Sequence, residues 1–320
     1  MSFSRLFIVS SCLLMVTLSV FVMLKGLPSL LSDPVEQQIL FRLRIPLVLT
    51  ALIVGSSLAV SAATLQVLLK NPLADPGIIG ISSGASLSAA LFLLTGIGTT
   101  NIGLTYGLPI ACFVGALSST LVIYVLSAKY NRLSGTGVIL AGIAISTLAG
   151  AVIAWLYFFS DAQSLRNLTF WLMGSLHQAD LSLSVVGFVI STLTLSLTVT
   201  KGKQLNWLYF GNRSAQLAGL DVTKFFKTQL LLCAVLVAVA VSLAGSIAFV
   251  GLLVPHLLRN LFGHDNRFIL PASAIWGGVL MLFVIVVSDW FGGVAVPVSM
   301  LTATIGGPLF LYSLLKYASR

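Results

Sequence analysis

Nine uninterrupted apolar runs, at 6–24, 46–69, 77–96, 106–127, 136–158, 181–200, 228–249, 269–290 and 299–317, dominate this chain. Each is of the length that an α-helix needs to cross a hydrocarbon core roughly 30 Å thick. A tenth, shorter crossing is expected from Gly251 to Leu261. Within a bilayer every backbone amide must be paired inside its own segment or around a closed barrel. The runs are too long and uniform for barrel strands. The expected fold is therefore an all-α, polytopic membrane helical bundle of about ten transmembrane helices, forming one transmembrane domain over residues 1–320. Only 8% of the residues are charged, against roughly 25% in a soluble domain, which excludes a soluble fold and any sizeable extramembrane domain.

The net charge of +9 comes without a basic run or an aromatic–basic alternation, so nucleic acid is not an expected partner. The charge sets topology instead. With ten crossings and a cytoplasmic N-terminus, Arg5, Lys70, Lys129, Arg132, Lys201, Lys203, Arg213, Lys224, Lys227, Arg259, Arg267, Lys316 and Arg320 fall inside, and Lys25, Arg42, Arg44 and Arg166 outside. This bias is the one the positive-inside rule demands. Omitting the crossing at 251–261 would invert the last two spans and move Lys316 and Arg320 outside. Residues 6–24 follow Arg5 as a signal peptide would, but no small-x-small cleavage site closes the run before Lys25, so it is read as the first span.

Cys12, Cys112 and Cys233 lie in apolar runs without metal-ligand or disulfide spacing and read as small packing residues. Helices in lipid associate through small residues, and two stripes offer such faces: Gly142, Ser146, Gly150 and Ala154, and Gly77, Gly80, Gly84 and Ser88. The heptapeptides at 57–63 and 242–248 agree at five of seven positions. They are expected to begin spans of opposite direction, as an inverted repeat would.

The longest polar stretch, about 201–227, is too short for a domain. Residues Arg213 to Leu217 can form a helical turn or two, Gly219 can end it in the left-handed conformation, and Asp221 or Thr223 can start another helix. A short helix, a glycine corner and a second short helix would then stand out as a knob. Arg42 and Arg44 guard the outer mouth of the second span, where arginine forks suit an acidic partner or lipid headgroups. The two prolines of Asn71–Gly77 force a sharp turn. Gly80-Ile81-Ser82-Ser83-Gly84 matches the nucleophile-elbow pattern, which leaves an intramembrane serine protease pairing Ser82 with His256 as a remote alternative. His256 otherwise reads as a hydrogen-bonded structural residue, with no metal indicated. Gly202-Lys203 lacks the rest of a phosphate-binding loop, so any ATP must be bound by another subunit. A secondary transporter is disfavoured because Asp289 is the single acid placed near a span's interior.

Several ordered segments resemble the permease subunits of type II ABC importers that take up iron-siderophores, haem and cobalamin. They are Arg44-Ile45-Pro46, Gly55, Gln66 to Gly84, Leu140-Ala141-Gly142, Trp171 to Leu176, Phe249 to Arg259, Leu270 to Ala274 and Thr302 to Pro308. The resemblance implies ten helices per subunit and two permease subunits, identical or related, around a central pathway. It implies two cytoplasmic ATPase subunits that bind ATP and magnesium, a periplasmic binding protein outside, and no cofactor in this chain. The location implied is the bacterial inner membrane, with both termini cytoplasmic. Residues 211–224 match the family's coupling helices, assigning Arg213, Ala215, Gln216, Leu217, Gly219, Leu220 and Asp221 to the ATPase interface. Ser134, Gly135 and Thr136 match the inner gate, and Arg44 matches an arginine that meets a glutamate of the binding protein. Two departures stand out. Leu47 replaces the family's second arginine, with Arg42 upstream instead, and the short stretch from Asp289 to Pro297 lacks the family's periplasmic arginine and later glutamate. Arg42 or Arg166 is the expected substitute. The resemblance implies a permease without catalytic residues. Ferric siderophore is the first expected cargo, because it is the commonest in the family and Gly174-Ser175-Leu176 is associated with that branch; cobalamin and haem follow.

Overall fold

The computed structural model describes residues 3–26, 33–95, 103–131, 135–178, 180–291 and 296–318. Their regular structure is helical throughout. Seven long apolar spans contain α1 (Phe3–Leu24), α2 and α3 (Pro34–Ile39 and Ile45–Leu68), α5 (Leu108–Asn131), α6 (Gly135–Phe159), α8 (Leu181–Val199), α11 (Val222–Ala244) and α13 (Asn266–Ser288). The shorter apolar helices α4 (Ile81–Leu94) and α12 (Val250–Phe262), with α14 (Val298–Ala318), apolar over Val298–Leu309, bring the set to ten. Three short helices do not span: α7 (Ala162–Leu172), α9 (Gly202–Tyr209) and α10 (Asn212–Leu217).

Few acids are available, and the fold spends most of them on helix starts. Asp33, Asp161, Asp180, Asp221 and Asp265 each cap a helix by accepting a backbone N–H of its first turn. That is five of the eight Asp and Glu residues in the chain, so the carboxylates serve architecture before chemistry.

Helix α3 forms the axis. It is apolar all round, which requires burial on all sides, and 20 of its 24 residues are buried. Its closest neighbour is α13, where Gly55 and Gly277 bring the two backbones into direct contact and a methyl on either would strike the other's carbonyl oxygen. The small-residue stripes are used unevenly. Gly142 packs on the Ile79 backbone, Ser146 accepts a hydrogen bond from Ser83 at 2.9 Å, and Gly84 lies against Gly115 and Ser119. Gly150 meets nothing within 4 Å. Gly77 and Gly80 precede α4 instead of lying on it, and Gly80 takes a φ of +89° that starts the helix.

Helices α4 and α12, with 14 and 13 residues, measure about 20 Å at 1.5 Å per residue, short of a full crossing. Each is preceded by non-helical backbone, at 71–80 and 245–249, a construction tolerated at membrane depth only where protein covers it. There Asp75 accepts the Gly77 amide at 3.0 Å and fills the space a side chain on Gly251 of α12 would need. The acid withdrawn among the spans is thus Asp75, and Asp289 lies at the end of α13 instead. The expected repeat also fails: residues 57–63 sit inside α3, whereas 242–248 straddle the end of α11, because Gly245 stands where Val60 does and turns to φ +71°.

The ten helices alternate in direction. At one end, called here the knob end, Phe7 of α1 meets Phe262 and Phe268 beside the α12–α13 turn, and Gly135 of α6 abuts Leu69 beyond α3. At the opposite end, Lys25 pairs with Asp289 and Tyr106 donates to Asp180.

Substituting Gly55→Val should lower the thermal midpoint by the equivalent of about 1–3 kcal/mol. Gly150→Ala should leave it unchanged or slightly raised; equal effects of the two would deny the α3–α13 contact its central place.

Candidate functional site

The polar stretch after α8 folds as expected at its corner and differently around it. Helix α10 ends where Gly219, at φ +84°, lets Leu220 N–H reach the Ala215 carbonyl at 3.0 Å and Gly219 N–H reach that of Gln216 at 2.9 Å. This is the glycine stop that the sequence predicts. The two short helices, however, both precede the corner. Gly211, at φ +116°, joins α9 to α10, and the long α11 starts directly at the Asp221 cap. Leu217, 84% exposed, and Phe210, 77% exposed, present apolar surface on the knob. Arg213, Gln216, Gly219 and Asp221 are exposed beside them, and Leu220 is half-buried. Ala215 is a correction to the expected contact set: it is fully buried in the cluster that includes Leu205, Leu208, Phe225 and Phe226, and holds α10 down.

A polar network braces this knob. Asn206 of α9 donates to Asp265 Oδ1 at 2.7 Å, while its Oδ1 accepts from the backbone N–H of Asn266 at 2.7 Å and from Asn266 Nδ2 at 2.9 Å. Asn266 Oδ1 accepts from Arg259 Nη2 at 2.9 Å, and the same nitrogen donates to the Ala63 carbonyl at 3.1 Å. Helix α9, the α12–α13 turn and the axis α3 are thereby joined. The Arg267 side chain, which donates to both Asp265 oxygens, holds that carboxyl down to about 2, so the cap stays ionised. Sequence reasoning missed α9 and Asn206. The available signals were the Leu205 and Leu208 spacing and an Asp-Asn pair at a helix start.

Of the expected gate, Ser134 lies outside the described residues. Gly135 starts α6 against the Leu69 backbone, a fit that excludes any side chain, and Thr136 is exposed beside it. At the opposite end, Arg42 and Arg44 occupy a π-helical turn, Leu40–Arg44, between α2 and α3. Its cause is Pro46, which has no N–H for the Arg42 carbonyl. Arg42 is exposed, while Arg44 lies 4.0 Å from Asp289, which Lys25 also holds at 3.0 Å. His177 stands near, and its partial desolvation outweighs Asp289 to lower its pKa. The protease arrangement gains no support: the His256 ring meets Asn260 at 3.1 Å, and Ser82 lies in the first turn of α4.

Replacing Asn206 with Ala leaves the buried Asn266 amides without their acceptor, at a cost of about 1–3 kcal/mol. The variant should melt earlier and be cut faster by protease between α8 and α11, whereas Arg213→Ala should do neither. An unchanged Asn206→Ala protein would remove the brace.

The family model of the FecCD transport family matches residues 5–316. A vitamin B12 import system permease protein from Vibrio vulnificus is 41% identical over 288 residues, 88% of this chain and 84% of that protein. A hemin transport system permease protein from Yersinia pestis is 38% identical over 275 residues, 86% and 82% of the two chains. Among solved structures, a metal-chelate type ABC transporter in an inward-facing conformation superposes with a TM-score of 0.88 at 32% identity, covering 98% of this chain and 99% of that one. The chain therefore belongs to the FecCD transport family and is a membrane-spanning permease subunit of an ABC importer, whose ATPase is a separate subunit.

Proposed function

We propose that this chain, paired with a second permease subunit, forms the pathway for a bulky metal chelate, with cobalamin the first cargo to test. The observation that carries the mechanism is the knob, where exposed Leu217 stands on α10, pinned from beneath by Ala215, and exposed Phe210 follows α9 beside it. Apolar side chains so exposed at a polar end of a membrane protein invite a protein partner. That partner is the ATPase, which binds ATP and magnesium, while this chain holds no cofactor.

Closure of two ATPases on ATP would push α10. The push would pass through α9 and Asn206 to the α12–α13 turn and, through Arg259, to α3. Gly135 and Thr136 start α6 against the residue that follows α3, so movement of α3 would open or shut the inner gate. Alternation needs two states a few kcal/mol apart, each favoured by a different partner. The knob end is cytoplasmic in this reading, because Lys70, Lys129, Lys201, Lys203, Arg213, Lys224 and Lys227 gather there. Both termini then face the cytoplasm of a bacterial cell and the membrane is the inner one.

At the outer end Arg42, Arg44 and Lys25 offer an acidic binding protein a cationic landing, partly neutralised by Asp289. The cargo order differs from the sequence expectation. Ferric siderophore now follows cobalamin and haem, since relatives named for vitamin B12 and hemin share 41% and 38% of aligned residues.

Three measurements test this reading. In vesicles containing the permease with candidate ATPase and binding subunits, cyanocobalamin should stimulate ATP hydrolysis more than haem or a ferric siderophore; stimulation by another cargo alone reassigns the substrate. Leu217→Asp should abolish ATPase assembly without lowering the melting temperature. Arg44→Glu should weaken docking of the binding protein in a salt-sensitive way, by the equivalent of about 1.5 kcal/mol or more if the pair is buried. Unchanged affinity at low salt would remove Arg44 from the interface.

A further inference from the structure

A cavity of about 320 Å³ opens at the knob end between the end of α3, the turn that follows it, the end of α9 and the α12–α13 turn. Gln66, Lys70, Asn71, Tyr209, Arg259 and His264 are in its wall. Two of these carry fixed positive charge and none carries negative charge. The nearby carboxylate, Asp265, is already engaged by Arg267 at 2.8 Å and by Asn206 at 2.7 Å.

Arg259 is the anomaly. Its Nη2 is spent on Ala63 and Asn266, while Nη1 is buried without an acceptor. Among the described residues no carboxylate lies within ion-pairing distance of this guanidinium. A cation drawn out of water is normally paired, and here the described residues supply no counter-ion. Lys70 adds a second positive group at an exposed position, on a backbone held at φ +52°.

We propose that this cavity binds the phosphate group of an anionic lipid headgroup from the leaflet at the knob end. Guanidinium and ammonium groups both bind phosphate through charge-assisted hydrogen bonds, and basic pockets between spanning helices suit acidic headgroups. The surroundings favour lipid as the source. Leu261, 73% exposed, presents apolar surface on α12, one of the helices that form the cavity, as a membrane boundary requires. A phosphate seated there would bridge α3, α9 and α12, and so tie the knob's brace to the composition of the bilayer. This inference concerns binding by the permease alone and rests neither on the cargo nor on an ATPase partner.

The test uses the purified full-length permease in detergent, titrated separately with phosphatidylglycerol, phosphatidylcholine and inorganic phosphate while binding is followed by native mass spectrometry and melting. Phosphatidylglycerol should bind about fivefold more tightly than phosphatidylcholine, and Lys70→Glu should erase that preference. Melting of Lys70→Glu in phosphatidylcholine should match the wild type, and Lys70→Gln should fall between them. Equal binding of the two lipids, or an intact preference in Lys70→Glu, overturns the proposal. If inorganic phosphate alone binds and displaces the lipid, free phosphate is the ligand and the lipid assignment falls. It falls equally if Lys70→Glu keeps its lipid preference but loses ATPase assembly.

Discussion

The contact on which the rest depends is the one between two glycines. Where Gly55 of α3 meets Gly277 of α13, backbone touches backbone without an intervening side chain. In a bilayer there is little hydrophobic gain in bringing two apolar helices together, because lipid tails are equally apolar, so close packing must supply the attraction. The close approach lets α13 bury the face of α3 that α8, α11 and α12 leave uncovered. With its axis enclosed, the bundle can leave other helices largely uncovered: only Gly137, Val138, Ala141, Gly142 and Ala149 of α6 are buried.

The polar end depends on the axis through a second economy. Asn206, Asn266 and Arg259 make a chain of hydrogen bonds that ends on the Ala63 carbonyl of α3. Each link is buried or half-buried, so water competes poorly and the geometry is fixed. A force applied at α10 therefore meets a rigid strut instead of a loop.

Much of the fold was legible because hydropathy speaks directly. The ten apolar segments, including the short one ending near Leu261, were read from length and from the distribution of Lys and Arg. The Gly219 corner and the Asp221 cap were legible because both act within a few residues. What escaped had amphipathic or long-range character. Helix α7 hides its Leu168 and Trp171 spacing among polar residues, and α11 starts earlier than its apolar run because Lys224 and Lys227 disguise Phe225 and Phe226. The Asn206–Asn266 bond joins residues 60 apart, beyond any local pattern. Asp289 looked interior because its neighbours are apolar, yet its charge is answered by Lys25 and Arg44 from the other end of the sequence. Likewise Ala215 lies within the expected contact segment but on its inward side, which spacing alone does not reveal.

The π-helical turn at Leu40–Arg44 has an evolutionary corollary. Each residue added to an α-helix rotates everything beyond it by about 100°, which on a helix buried all round would scramble the packing of every neighbour. A wide turn just outside the buried section absorbs one such residue and keeps the phase of Ile45 to Leu68 intact. The arginines carried on that turn can thus be repositioned without changing the register of the enclosed helix below.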